Sequence, residues 1–231
     1  MYSEITKELK KLKDYKKAEK SKLFFKTGAE EYGEGDKFLG IAVPQQKKIA
    51  KLFPNTSLTD LKKLLNSQIH EYRSFALIIL VNQFKKAGKE ERKKFFDFYL
   101  KNISQINNWD LVDSSAPYIV GEYLKDKEKN ILYKLSSSPG LWRRRIAIMA
   151  TFNFIRENNF KDTLKIAEKY LKDKEDLIHK ATGWMLREVG KRDLKTEEKF
   201  LKKYYKQMPR TMLRYAIEKF PENKRKKFLK K

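Results

Sequence analysis

The sequence contains no cysteine, which excludes disulfide bonds, zinc sites built on thiolates and a cysteine nucleophile. It has only two histidines, too few for a metal site built on imidazole, and no phosphate-binding glycine motif. We therefore predict no metal and no other cofactor. The longest apolar run, residues 75–81, is far shorter than a membrane span, and residues 1–7 lack the apolar core of a signal peptide. We expect a cytoplasmic protein with no membrane partner.

Positive charge is present in large excess. The 231 residues include 54 Lys and Arg against 30 Asp and Glu, for a net charge of +24. Self-repulsion of this size destabilises a compact chain, and a polyanionic partner would offset it. DNA, RNA or an anionic membrane could be that partner. Alternatively, the lysines only keep the surface solvated and there is no such partner. Charge alone leaves these alternatives open.

Helical periodicity dominates the chain and predicts an all-α fold. Leu164, Ala167 and Leu171 recur at helical spacing, with charged residues on the opposite face. Residues 75–84 are apolar nearly all round, as expected of a helix enclosed by its neighbours. Long alternation of apolar and polar residues, which would indicate strands, is missing from the sequence. The glycine-rich, acidic residues 28–35, the segment from Pro54 to Ser57 and other breaks divide the chain into helices that we expect to form antiparallel pairs.

A weak internal repeat favours stacking of these pairs into an α-solenoid. Trp142-x-x-Arg145 recurs as Trp184-x-x-Arg187, and Trp109 lies upstream at a comparable interval. The tryptophans are 33 and 42 residues apart, which is within the usual range of helical repeat periods. One helix of each pair lines the concave face of such a solenoid. We therefore predict one domain over residues 1–231, monomeric, with a concave basic groove that suits double-stranded DNA.

The segment from Asn107 to Asp113 is the first candidate for chemistry. Trp109 and Asp113 are four residues apart, so on a helix they stand on one face. Pro117 cannot donate a hydrogen bond to the carbonyl of Asp113, so we expect the helix to be distorted there. The residues alone favour a structural interpretation, with Trp109 in the core and Asp113 as a cap or ion-pair partner.

Two later segments carry arginines and glycine at places where nucleic acid could approach. Three consecutive arginines, residues 143–145, open a helix after a Pro-Gly break, and arginines near a helix N-terminus suit phosphate. Gly183 inside a helix costs about 1 kcal/mol relative to alanine, which predicts a close neighbour, protein or nucleic acid. Trp184 and Arg187 share a helix face, and a plain cation–π pair is the alternative interpretation.

These segments resemble the motifs of the AlkD-like family of bacterial DNA alkylation repair proteins, in the same order along nearly the whole chain. The matching motifs are Lys37-Phe38-Leu39-Gly40-Ile41-x-x-Pro44, Trp109-Asp110-x-Val112-Asp113, Trp142-x-x-Arg145-x-Ala147, Gly183-Trp184-x-Leu186-Arg187-Glu188 and Arg214-x-Ala216-Ile217.

The resemblance implies HEAT-like helix pairs around a DNA groove. It also implies a monofunctional glycosylase that hydrolyses the N-glycosidic bond of cationic N3- or N7-alkylated purines without flipping the lesion into a pocket. The residues that the resemblance assigns to catalysis are Asp113, Trp109 and Trp184. Those it assigns to DNA binding are Arg145, Arg187, Arg214 and Lys47. Related branches that bind branched or damaged DNA without catalysis are the alternative.

The chain departs from the family pattern at two places. Where the family has a tyrosine near the DNA, this sequence has Phe24, so a hydroxyl contact is missing. The acidic insert from Gly28 to Gly35 lengthens the loop before the Phe38-Leu39-Gly40 motif. We expect the longer loop to affect the grip on DNA or the preference among lesions.

Overall fold

Helices account for the regular structure of this protein. The computed structural model describes residues 1–230, and over that range it contains α-helices and no β-strand, only an isolated bridge between Lys37 and Ile69. The predicted all-α class is confirmed. Contacts group the chain into two compact units, Met1–Ser115 and a second that begins at Ala116. The single domain over residues 1–231 and its concave basic groove stay predictions.

The first unit packs its helices around one long central helix. Its helices are α1 (Tyr2–Lys10), α2 (Tyr15–Phe24), α3 (Val43–Ala50), α4 (Leu58–Leu65), α5 (His70–Lys86), α6 (Lys89–Lys101) and α7 (Trp109–Asp113). Helix α5 contacts α3, α4, α6 and α7, so its apolar residues are covered on nearly every side. Phe75, Leu80 and Phe84 are completely buried, as their all-round apolar pattern predicts.

Side-chain caps fix where the helices of the first unit begin. The side chain of Asp14 accepts a hydrogen bond from the backbone N–H of Lys17 at 3.1 Å, and Ser57 does the same for Asp60 at 3.1 Å. Each cap satisfies one amide that has no partner within its own helix. The start of α4 agrees with the break that Pro54 to Ser57 forms in the sequence.

The loop between α2 and α3 is tied to α5 by one buried carboxylate. Glu71, in the first turn of α5, accepts hydrogen bonds from the backbone N–H groups of Leu39, Gly40 and Ile41 at 2.9, 2.7 and 3.2 Å. Gly40 has a φ of +81°, and a Cβ there would lie 2.1 Å from the carbonyl oxygen of Asp14. This position therefore requires glycine for both conformation and space.

The second unit is built around two long helices. A π-helical turn (Pro117–Gly121) is followed by α8 (Glu122–Leu124), α9 (Asn130–Ser136), α10 (Leu141–Arg156), α11 (Lys161–Lys169), α12 (Asp176–Arg192), α13 (Leu194–Tyr204), α14 (Arg210–Ala216) and α15 (Glu222–Leu229). Helix α10 contacts α9, α11 and α12, and α12 also contacts α13 and α14. The π-helical turn is the distortion that Pro117 predicts, because proline lacks the amide that a regular helix would use.

Gly183 permits a close approach between two helices of the second unit. A Cβ at this position would lie 2.3 Å from the carbonyl oxygen of Met212 and 2.6 Å from the Cβ of Tyr215. Both neighbours belong to α14, so the close contact that the sequence predicts is made by protein. The glycine fixes how α12, which carries Trp184 and Arg187, packs on α14.

Candidate active site

Trp109 and Asp113 lie at the two ends of the one-turn helix α7. Both side chains are half-buried, whereas Leu111 and Val112 between them are completely buried. Asn108 begins the helix, and its side-chain oxygen accepts a hydrogen bond from the backbone N–H of Trp109 at 2.8 Å. The apolar pair anchors the turn, so Trp109 and Asp113 stay on its accessible side.

Aromatic rings hold Trp109 in place. The Trp109 ring is stacked on Phe25, with 5.5 Å between ring centroids, and it meets Phe24 edge-on at 5.6 Å. Phe25 in turn is stacked on Phe38 at 5.2 Å and lies 4.7 Å from the ring of His70. We call these five residues the aromatic cluster. The sequence analysis named Phe24, Phe38 and Trp109 but not Phe25, although Phe25 directly follows Phe24 in the chain.

A buried charge network joins α5 to α7 behind the aromatic cluster. His70 Nδ1 lies 3.2 Å from Asp36 Oδ2, and His70 Nε2 lies 2.8 Å from Asp110 Oδ2. Arg73 also donates to Asp36 at 2.7 Å. Burial by itself lowers the pKa of His70, but the hydrogen bonds to Asp110 and Asp36 outweigh it and raise the pKa to about 9, against a smaller opposing effect of Arg73. The protonated His70 ring therefore binds Asp110, the residue that follows Trp109 on α7.

The charge network predicts a specific dependence of stability on pH. Because the folded pKa of His70 lies above its ordinary 6.5, the stabilisation is fully present below pH 6.5 and is lost as pH rises through about 9. The free energy of unfolding should fall across this window by roughly 3 kcal/mol more in the wild type than in His70→Gln. Urea denaturation at several pH values measures this difference.

The pH dependence of the wild type must be compared with that of His70→Gln because Glu197 also titrates in this range. Burial raises the pKa of Glu197 to about 8, so its own contribution declines between its ordinary 4.5 and about 8 in both proteins. Subtracting the pH profile of the free energy of unfolding of His70→Gln from that of the wild type removes the contribution of Glu197. Parallel profiles for the wild type and His70→Gln between pH 6.5 and 9 would contradict the role assigned to His70.

Trp184, the third residue of the predicted catalytic set, belongs to the second unit. It lies in the middle of α12 and is half-buried. Its indole Nε1 donates to Glu188 Oε1 at 3.0 Å, and its ring centroid is 6.4 Å from that of Phe152. These contacts fix the orientation of the indole. The convergence of Trp184 with Trp109 and Asp113 stays a prediction.

The four residues predicted to bind DNA differ in how they are held. Arg145 is buried and donates from Nη1 to the carbonyl oxygen of Leu177. Arg187 is mostly buried and forms an ion pair with Glu218. Arg214 and Lys47 are exposed. The structure thus leaves Arg214 and Lys47 accessible, while Nη1 of Arg187 is already paired with Glu218. All four DNA contacts stay predictions.

Residues 1–230 contain neither a cluster suited to a metal ion nor a helix suited to a membrane. In that part of the chain, no group of three or more His, Cys, Asp or Glu side chains is arranged to hold a metal ion. No helix there is long and apolar enough to cross a bilayer.

The helical fold and these motifs define a class of DNA repair protein. The chain matches the family model described as DNA alkylation repair enzyme over residues 5–220, and it therefore belongs to that family. The family membership gives the protein a role in DNA repair and confirms the resemblance drawn from the motifs.

One solved structure extends the comparison to three dimensions. The chain is similar to a predicted DNA alkylation repair enzyme from Enterococcus faecalis, with a TM-score of 0.69 and 18% sequence identity. The match covers 91% of this chain and 97% of the other, so the two proteins share the fold over almost their full lengths. None of the curated proteins matches the chain.

Proposed function

We propose that the protein is a monofunctional DNA glycosylase that releases N3- or N7-alkylated purines from double-stranded DNA. The proposal includes excision without flipping the lesion into a pocket. It is carried by one observation: a member of the DNA alkylation repair enzyme family keeps Trp109 and Asp113 half-buried on one short helix. An indole braced by aromatic rings and a carboxylate on the same short helix suit a reaction that develops positive charge on a sugar.

Asp113 is the residue that this chemistry requires most. Alkylation at N3 or N7 makes the purine cationic, so the base is a good leaving group without protonation. The bond between C1′ and the base nitrogen breaks, its electron pair leaves with the base, and the sugar becomes oxocarbenium-like. Asp113 stabilises that charge and accepts a proton from the water that adds to C1′. The products are a free alkylpurine and an abasic site.

Trp109 and Trp184 have a supporting role in this proposal. An indole face attracts positive charge through its π electrons, and the attraction grows when water is excluded. Two such faces against the deoxyribose would favour the charged transition state over the neutral ground state. No lysine is assigned to a Schiff base, so we expect no cleavage of the DNA strand.

Binding of the duplex is assigned to exposed cations and to the net charge of +24. Arg214 and Lys47 are the accessible members of the predicted set, and Arg145 and Arg187 complete it. Contacts to several phosphates release counterions, so the affinity for duplex DNA should fall steeply with salt. The phosphate contacts would place the lesion without reading the sequence.

Mass spectrometry of bases released from methylated duplex DNA tests the proposal directly. We expect free 7-methylguanine and 3-methyladenine, with the DNA strand left intact until it is treated with alkali. Release of neither base would contradict the glycosylase assignment. Tight binding to branched DNA with no base release would instead favour the non-catalytic alternative.

A further inference from the structure

The first unit contains a pocket that the proposed chemistry does not use. Its volume is about 510 Å³, which is within the usual range for a small-molecule site. The residues on which the inference depends are Lys17, Lys20, Phe24, Phe25, Gln46 and Asp110, all of which line the pocket. Every lining residue belongs to the first unit.

The walls of the pocket suit a flat aromatic ligand. Phe24 ends α2 and is 64% exposed, although burial of such a ring is strongly favourable. Phe25 lies next to it, with 5.0 Å between ring centroids and the planes nearly perpendicular. Exposed aromatic rings beside positive charge are the usual platform on which proteins stack unpaired bases. The pocket therefore offers an aromatic surface for stacking that the core of the unit leaves uncovered.

Two residues of the pocket lining each carry a buried side-chain oxygen that has no donor among the described residues. These oxygens are Gln46 Oε1 and Asp110 Oδ1. The amide nitrogen of Gln46 donates to the carbonyl of Ile41 at 2.9 Å, which turns its oxygen away from that contact. The other carboxylate oxygen of Asp110 is bonded to His70. Buried acceptors are nearly always satisfied, so a ligand that carries N–H donors would satisfy both oxygens once the two side chains turn toward it.

Charge at the pocket indicates that the ligand also carries an anionic group. Lys17 and Lys20 line the pocket and are exposed to solvent. Lys17 already pairs with Asp14 at 3.0 Å, whereas Lys20 is the lining lysine best placed to accept an added anion. A flat ring, N–H donors and a nearby negative group together describe a nucleotide.

We infer that this pocket binds an unpaired nucleotide whose base carries an amino group. The base stacks on Phe24, its amino N–H groups donate to Gln46 and Asp110, and its phosphate lies against Lys20. Adenine, guanine and cytosine each have an amino group with two hydrogens for the two acceptors, whereas thymine has only one N–H donor on its ring, at N3. The inference rests on the proposed function in taking DNA as the partner. The nucleotide is an undamaged one, either displaced opposite the lesion or at a strand end.

Binding of short single-stranded oligonucleotides tests the pocket without requiring excision. Fluorescence anisotropy should show that oligo-dA and oligo-dC bind on the order of tenfold more tightly than oligo-dT, the factor expected from a net hydrogen bond to a charged acceptor. Phe24→Ala should weaken oligo-dA binding by about tenfold through lost stacking. Gln46→Leu should reduce the preference of dA over dT.

Matched variants separate the pocket from general surface effects. Leu23→Ala removes a side chain that is 84% exposed, next to Phe24 but outside the pocket lining, and should leave binding unchanged. Lys16→Ala, outside the lining, should weaken oligo-dA binding less than Lys20→Ala does. Circular dichroism checks that each variant is folded. Equal affinity for all three oligonucleotides, or equal effects of Phe24→Ala and Leu23→Ala, would overturn the inference.

A second arm identifies where the nucleotide comes from. Duplexes with a single bulged dC or dT represent a displaced nucleotide, and duplexes with a one-nucleotide overhang represent a strand end. A dC preference that Phe24→Ala removes in either duplex supports the inference and names its source. If single strands bind through the pocket while methylated duplex releases no base, the glycosylase proposal fails and the pocket assignment stands. Excision with no base preference in any arm rejects only the pocket.

Discussion

Replacing Asp113 with asparagine should lower the rate of base excision by roughly 100- to 1000-fold, the usual effect of removing one electrostatic stabiliser of a transition state. Asparagine has nearly the same shape, so α7 and its contacts should be kept. It has no negative charge to stabilise the oxocarbenium-like sugar and is a poor base for the attacking water. Single-turnover release of 7-methylguanine from a duplex measures the rate, and anisotropy measures the affinity, which should stay within about threefold because Asp113 is not a phosphate contact.

A surface carboxylate provides the control for this experiment. Asp97 on α6 pairs with Lys93 at 2.6 Å and its side chain is 42% exposed, so Asp97→Asn removes the same charge from the same unit. We expect this variant to excise at the parental rate. Excision by Asp113→Asn at the rate of Asp97→Asn would show that the carboxylate assigned to the reaction is not part of it.

Replacing Glu71 with alanine should lower the free energy of unfolding by about 3–5 kcal/mol, because three backbone amides would lose their acceptor and each buried unsatisfied group costs about 1–3 kcal/mol. Glu71 is 3% exposed, so water cannot readily replace the lost carboxylate. The segment from Leu39 to Ile41 would detach from the start of α5. Urea denaturation followed by circular dichroism measures the change.

Glu90 offers a matched substitution for Glu71. It also lies in the first turn of a helix, α6, but it is exposed. Glu90→Ala therefore loses the favourable interaction with the helix dipole without removing an acceptor from buried amides, and should cost less than about 1 kcal/mol. Equal losses for the two variants would mean that the three hydrogen bonds to Glu71 add nothing to stability.

The helical class was predictable because its determinants are local. The all-round apolar pattern of α5 and the breaks before α4 are read from a few neighbouring residues, and the structure agrees with both. Gly183 shows where local reasoning ends. A glycine within a helix signals that something comes close, but only the packing of α12 on α14 identifies the neighbour as protein.

The site was predictable only in part. The four-residue spacing of Trp109 and Asp113 places them on one short helix, as expected. The network around His70 was missed because Asp36 and Asp110 are 34 and 40 residues away, and no periodicity links such positions. The burial of Arg145 was also beyond sequence reasoning, since a run of three arginines gives no sign of which one turns inward.

The shortness of α7 has a consequence for how variants of this protein should be interpreted. A helix of five residues has almost no stability of its own. Contacts with Phe25, His70 and the buried residues beneath α7 therefore fix its position. Random mutagenesis scored by repair should therefore recover inactive variants whose altered residue never meets DNA. In these variants α7 would be displaced from its position. Low temperature, or changes that stiffen the first unit, should partly restore repair.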